Sequence, residues 1–263
     1  MGTLCPARHT GRRLAHSAHR RRRPAAGEQQ ILSVYLENRR EGDSAFDRAK
    51  SAYVSAAYRY GDRERGKRLL EKGAAAPLAS AARFFASQLA ICDLPRMIEL
   101  DVPWWNRKAA LAVDRFLSAR SEARVFEFGS GSSTVWLARR AAHVYSAEPH
   151  ADWAEALERE LAPYGNTDLL VRRLERGGGP FALSIAEAGG QFDLIVIDGR
   201  ERAACFTQAI PFLKPDGLVL FDDSFRRRYR PAIEAAPLVE TRYFGPAFAK
   251  PYPDHTSILR RKA

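Results

Sequence analysis

The run Val125–Pro149, VFEFGSGSSTVWLARRAAHVYSAEP, constrains this chain more than any other stretch. An apolar β-type segment ends on an acid, Glu127, and turns at once into Gly129-Ser130-Gly131. A helical pattern follows, with Val135, Leu137 and Ala138 set against Arg139 and Arg140, and a second short strand closes on Glu148. Strand, glycine turn, helix, strand and terminal acid build a nucleotide site at the carboxyl ends of parallel strands. The glycines stop short of the dinucleotide fingerprint, because Thr134 stands at its third glycine position. Glu127 also occupies a place that is usually apolar there. A carboxylate at that point suits a ligand carrying positive charge, since opposite charges attract strongly in a partly dry pocket. Glu148 can accept both hydroxyls of a ribose with its two oxygens. Either acid alone could be a strand-end residue capping the next turn. Together with the glycine turn they point to a nucleotide-like ligand.

From Arg124 onward strands and helices alternate. Strands are expected at Val125–Phe128, His143–Ala147, Asp168–Arg173, Asp193–Ile197 and Gly217–Phe221, with two more near Leu238–Phe244 and Ser257–Arg260. Helices are expected from Asp152 to about Leu161 and from Glu201 to Leu213. This alternation calls for an α/β fold, a doubly wound parallel sheet with helices on both faces. Pro103-Trp104-Trp105 precedes a helix over Asn106–Ala119 whose Ala109, Ala112, Val113, Phe116 and Leu117 share one face. Adjacent tryptophans cannot both point inward on a regular element. One is a candidate for the pocket mouth; the other reading is packing at a domain junction.

Three parts are expected: residues 1–27 as a disordered basic tail, 28–102 as a helical extension, and 103–263 as the sheet domain. The net charge of +11 looks like a nucleic-acid signal until it is located. Residues 1–27 hold seven Arg and no acid; removing those seven from the 42 Lys and Arg, against 31 acids, leaves only +4. The tail reads as solvated, as a targeting segment, or as a nucleic-acid contact. In the extension, Ser44 is placed to cap a helix to about Tyr60, with Phe46, Ala49, Tyr53, Ala56 and Tyr58 on one side. Further helices are expected over Arg63–Lys72 and Pro77–Ile91, with their Tyr and Phe residues in the core. Such small helices should pack on the sheet domain or on a partner. Cys5, Cys92 and Cys205 lie far apart, which suggests neither a zinc site nor a disulfide framework, and a reducing, cytoplasmic setting is the expectation. No run approaches the roughly 20 apolar residues of a membrane span.

Taken in order, VFEFGSGSST, HVYSAEP, QFDLIVIDG and FLKPDGLVLFDD resemble the class I S-adenosylmethionine-dependent methyltransferases, most closely the small-molecule O-methyltransferase-like members. The resemblance covers about Pro103–Arg261. It implies a Rossmann-like seven-stranded sheet with an antiparallel last strand and S-adenosylmethionine as cofactor. It also implies that Gly129, Ser130 and Gly131 bring backbone close to that cofactor. Glu127 would lie near the cationic amino group through water, and Glu148 on the ribose hydroxyls.

Asp198 ends the fourth strand, and Asp222 and Asp223 the fifth, at the face where doubly wound sheets keep ligands. Similarity to the catechol-type enzymes implies that Asp198, Asp222 and Asp223 could hold Mg²⁺ through oxygen. The chain has Asp-Asp-Ser where that type has Asp-Asn, and Arg200 and Arg202 where it has a lysine. Otherwise Asp198 positions the acceptor or acts as base, and Asp222 caps a loop; Asp198, Asp222 and His255 are the candidate catalytic residues, and Asp198 is also a candidate cofactor contact. The run Arg226–Arg228 with Arg230 reads as a solvated face or as a site for an anionic acceptor. His255, before the last strand, is either a loop residue or a general base.

The expected activity is methyl transfer to a small-molecule acceptor on oxygen, with no membrane span and nucleic acid as a disfavoured partner. One competing reading is an NAD-dependent oxidoreductase on the same type of fold, opposed by Glu127 and the absent third glycine. Another is a non-catalytic module binding nucleic acid or a membrane surface through its basic arm. A nucleic-acid methyltransferase ranks low, because I-D-G stands where an N-P-P-Y-type motif would follow the fourth strand.

Overall fold

The computed structural model describes residues 45–262. The basic tail, Ser44 and the side chain of Phe46 lie outside the described residues. Five helices come first: α1 Ala45–Gly61, α2 Glu64–Ala75, α3 Ala81–Ser87, α4 Leu94–Glu99 and α5 Arg107–Ser118. Then follow β1 Arg124–Phe128, α6 Ser132–Ala138, β2 His143–Glu148, α7 Ala151–Leu161, β3 Thr167–Val171, α8 Gly179–Ala188 and β4 Phe192–Ile197. The chain closes with α9 Arg202–Ala209, β5 Leu213–Asp222, α10 Arg230–Ala235, β6 Leu238–Ala247 and β7 Lys250–Arg261.

The seven strands form one sheet in the order β3-β2-β1-β4-β5-β7-β6. β1 pairs in parallel with β2 and β4, and β7 runs antiparallel to both β5 and β6. The order reverses between β1 and β4, which opens a crevice at the carboxyl ends of those strands. Strand alternation decides which residues share a face. Val125, Leu194, Val196, Leu220 and Ile258 belong to one core, under α5 and α6. Phe126, Phe128, Ile195, Ile197, Val219, Phe221 and Leu259 belong to the other. By the same period of two, Glu127, Asp198, Asp222, Asp254 and Thr256 rise on the α5–α6 side.

The helical extension is not a separate body. Leu70, Ala86, Ala90, Met97 and Leu100 lie in the same core cluster as Val125, Leu137 and Leu194. Leu94 and Ile98 of α4 lie in one cluster with Val135 of α6 and Trp153 and Leu157 of α7. Burying side chains of that kind contributes about 1.5–3 kcal/mol each. This explains a departure from the amphipathic pattern: all seven residues of α6 are buried, because α4 covers its outer side. Arg139 and Arg140, set just after α6, both donate to Asp101, which also receives Arg83. Burial would raise the Asp101 carboxyl, but the hydrogen bonds and charges of Arg140 and Arg139 outweigh it and hold it below its ordinary value.

Two expectations for the extension are corrected. The third helix breaks after Ser87 into a short 3₁₀ turn and resumes as α4, with Asp93 capping it by accepting from the Arg96 N–H. Phe85 and Tyr60 are exposed, not core. Asn106, expected as the first helical residue, instead caps α5 by accepting from the N–H groups of Lys108 and Ala109. The described cysteines, Cys92 and Cys205, are buried free thiols. No described helix is long and apolar enough to cross a membrane.

Candidate active site

The glycine turn is shaped by contact with the end of β4. Gly129 has φ +96°, and a Cβ there would lie 2.5 Å from Cα of Gly199. Gly199 in turn has Phe128 carbonyl carbon and Gly129 N 3.0 Å from where its Cβ would be. The glycine of I-D-G therefore exists so that the two strand ends can touch. Gly131 differs: its backbone is extended at φ 178°, and a Cβ there meets nothing within 4 Å.

Glu127 is fully buried beneath this turn. Ser133 donates to one carboxylate oxygen at 2.5 Å, while Thr134 (2.5 Å) and Ser146 (2.8 Å) donate to the other. Burial raises its pKa to about 7; the three hydroxyls pull the other way, and the charge of Asp198 adds to the rise. Thr134, the residue in place of the third fingerprint glycine, also accepts from the Gly131 N–H at 2.9 Å. It ties the turn to the acid. In the sequence Thr134 speaks only against a dinucleotide fingerprint, and Ser133 and Ser146 carry no expected role; three hydroxyls spaced around one buried acid were the available signal.

Glu148, at the end of β2, faces the same turn. Its oxygens accept from the backbone N–H of Ser130 at 3.2 Å and of His150 at 3.0 Å. Trp153 donates to the Ser130 carbonyl at 2.9 Å and Ser130 shares a hydroxyl bond with Ser146. Glu127, Gly129, Ser130, Gly131 and Glu148 thus form one hydrogen-bonded unit around the helix start.

The second half of the site lies at the ends of β4, β5 and β7. Trp105, fully buried, donates its indole N–H to Asp198 at 3.0 Å, so the tryptophan pair divides its work. Trp104 instead donates to the Ala249 carbonyl at 3.1 Å. Arg202 spans the strand ends: its guanidinium lies 2.9 Å from Asp198, 3.3 Å from Asp223 and 3.7 Å from Asp222. It also donates to the backbone carbonyls of Gly199 and Asp198. Asp222 is buried and accepts from Thr256 at 2.7 Å. Burial and then the charges of Asp254 and Asp198 push its carboxyl well above the usual range. Asp223 sits in the left-handed region at φ +54°, which turns it toward Arg202 and Arg226. Burial would raise its carboxyl, but the charges of Arg202, Lys250 and Arg226 hold it below its ordinary value.

A fourth carboxylate, Asp254, was not foreseen. Its oxygen and those of Asp222 and Asp223 lie within 4.8 Å of one another. The reason it was missed is the last hairpin. Residues 245–255 read as a loop but, apart from the turn at Phe248 and Ala249, form strand in β6 and β7, with Asp254 paired to Gly245. The same correction moves His255. It lies on the opposite face of β7 from Asp254 and Thr256, stacked between Phe225 and Phe244 at 4.4 Å from each ring. The structure brings Asp198, Asp222 and Asp223 together and leaves His255 outside that group.

The expected Mg²⁺ set is met by the protein's own cations. Arg202 touches three carboxylates, and the Lys250 ammonium reaches Asp254 and lies 4.0 Å from Asp222. A divalent ion would have to displace the guanidinium groups at Asp198 and Asp223 and the ammonium at Asp254, and would bring further positive charge beside Arg202 and Lys250. The donor set does not fit the ion. Of the basic run, Arg226 binds Asp223, Arg228 binds the Tyr229 hydroxyl, and Arg230 binds Glu234 and Glu240.

Comparison with known proteins adds the following. Residues 126–224 match a family described as a methyltransferase domain. No curated protein matches the sequence. Among solved structures, a putative O-methyltransferase from Klebsiella pneumoniae is 19% identical with a TM-score of 0.49, covering 90% of this chain and 100% of that one. A putative methyltransferase from Streptococcus mutans in complex with SAH is 14% identical with a TM-score of 0.41, covering 57% of this chain and 96% of that one. An rRNA methylase from Streptococcus thermophilus is 11% identical with a TM-score of 0.46, covering 59% and 96%. The matched segment spans the glycine turn and the acidic ends of β1, β2, β4 and β5, so this part of the chain carries a methyltransferase domain.

Proposed function

We propose that this chain transfers the methyl group of S-adenosylmethionine to an oxygen atom of a small molecule. The observation that carries this reading is the pairing of two unlike halves on one face of the sheet. One is a nucleotide cradle around Glu127 and Glu148; the other is the buried acid Asp222 at the neighbouring strand ends. When bound, S-adenosylmethionine supplies an electrophilic methyl carbon on a cationic sulfur. Glu148 accepts from the ribose hydroxyls, Gly131 admits the ligand to the backbone, and Glu127 holds the turn while adding negative charge beneath it. Asp198, fixed by Trp105 and Arg202, sets the position of the acceptor. Asp222 takes the acceptor's hydroxyl proton, because burial makes its carboxylate more basic than usual.

A small acceptor is supported by what surrounds this end of the sheet. The β6–β7 turn is tied to the helical extension by Gln88 on the Ala247 carbonyl and by the Ala249 N–H on Ser87. Phe248 and Ala249 are wholly buried there. On this reading the helices and the hairpin border the acceptor, and such a border would favour alignment and water exclusion around a compact substrate.

The test is S-adenosylhomocysteine release from a panel of small hydroxylated aromatic and carboxylated compounds, run beside ribosomal RNA and a protein extract. Turnover with a small hydroxyl compound, lost in Asp222→Asn with cofactor affinity kept, is the expected outcome. Methylation of RNA or protein alone would overturn the acceptor class.

A further inference from the structure

A trio of carboxylates at the end of β5 and β7 needs a positive partner, and the chain supplies one from a clamped hairpin. Asp222, Asp223 and Asp254 place ligand oxygens within 4.8 Å of one another. Lys250, the first residue of β7, directs its ammonium among them, touching Asp254 and standing 4.0 Å from Asp222. Its side chain keeps only 12% of its exposure.

The position is held from outside the strand. The turn before Lys250 contains Ala249 in the left-handed region at φ +52°. The Phe248 N–H donates to the Trp105 carbonyl, the Ala249 N–H to Ser87, and Trp104 to the Ala249 carbonyl. Four hydrogen bonds, counting Gln88 on Ala247, thus fix where the lysine stem begins. Trp104 also lies under the ammonium at 6.0 Å. A lysine needed only for solubility would not be anchored this way.

We propose that Lys250 is a tethered cation that takes the place of a divalent metal ion on the acceptor side, so that methyl transfer in this protein is metal-independent. This rests on the methyl-transfer reading above. The ammonium has three N–H donors, of which Asp254 takes one. It neutralises the mutual repulsion of Asp222, Asp223 and Asp254 and offers a donor to the acceptor oxygen. Arg202 performs the matching task toward Asp198 and Asp223 from the other side. Lys250 is therefore a positioning residue at the acceptor, not part of the cofactor cradle.

The experiment is Mn²⁺ binding, followed by electron paramagnetic resonance on the full chain, in wild type, Lys250→Met, Lys250→Arg and the double variant Lys250→Met/Asp254→Asn. Wild type and Lys250→Arg are expected to bind no Mn²⁺ at about 1 mM, the weak end of protein oxygen sites. Lys250→Met is expected to gain one site tighter than that, and the double variant to lose it again. S-adenosylhomocysteine affinity, measured on the same samples, should stay within about twofold of wild type, since Lys250 is outside the cradle; unchanged affinity also reports folding. Tight Mn²⁺ binding by wild type overturns the proposal, as does a Lys250→Met protein that folds and binds no Mn²⁺. Should Lys250→Met not fold, the wild-type and Lys250→Arg titrations still decide. Absence of S-adenosylhomocysteine binding by wild type would instead sink the methyl-transfer reading itself.

Discussion

Glu127 couples cofactor affinity to pH. It is wholly buried, and its carboxyl is raised to about 7 by burial, against three hydroxyl donors and with the charge of Asp198 adding to the rise. A cation bound above the turn favours the ionised form, so binding should release a proton wherever the free protein holds Glu127 protonated. With a pKa of about 7, about one-tenth of Glu127 is ionised at pH 6 and about nine-tenths at pH 8. S-adenosylmethionine affinity should then rise about tenfold over that interval, about 1.4 kcal/mol. The same shift affects stability with the opposite sense. A raised folded-state pKa gives a contribution that is fully present below the unfolded value of about 4.5 and is lost as pH rises through about 7. Ligand-free wild type should lose about 3 kcal/mol from this group between those limits, and Glu127→Gln should not. The assay is calorimetric titration at pH 6, 7 and 8 in two buffers of different protonation enthalpy. Glu127→Gln serves as control for the titration of the ligand's own amino group. Parallel pH slopes in the two proteins, or no proton release at pH 6, would refute the coupling.

Other outcomes follow from the same geometry. Gly131→Ala should weaken S-adenosylhomocysteine binding at least tenfold while leaving the thermal midpoint in place, because its backbone is extended and the added Cβ meets no protein atom. Gly129→Ala should instead destabilise by roughly 2–4 kcal/mol in urea, from a positive φ and a clash with Gly199. Asp222→Asn should lower kcat by about 100-fold or more with cofactor affinity unchanged, measured once an acceptor is in hand. Asp101→Ala should cost about 3 kcal/mol in the same unfolding assay, since it strands Arg83, Arg139 and Arg140 where the extension meets α6.

Much of this was readable from residue order because it depends on local patterns. The alternation from Arg124 onward located the strands and called for a parallel doubly wound sheet, while the antiparallel last strand and the cofactor roles of Glu127, Gly129, Gly131 and Glu148 came from the family resemblance. What escaped depends on contacts far apart in the chain. The burial of α6 required knowing that α4 packs across it, and nothing in VWLARR signals that. Asp254 and Lys250 sit in KPYPDH, a polar run broken by Pro251 and Pro253, which reads as loop; hairpin pairing with β6 turns it into strand. His255 was misplaced for the same reason, since a strand's two-residue period sends it to the face opposite Asp254. The role of Gly199 emerges only when β1 and β4 lie side by side, and that of Arg202 only when β4 and β5 do.

The central claim is that the Glu127–Glu148 cradle binds the methyl donor with its reactive end toward Asp222. A crystal structure of the protein with S-adenosylhomocysteine tests it most directly. The expected result is ribose hydroxyls on Glu148, the ligand backbone against Gly131, and its sulfur turned toward the Asp198–Asp222–Lys250 side. A ligand whose ribose lies away from Glu148, or whose sulfur faces β3, would contradict it.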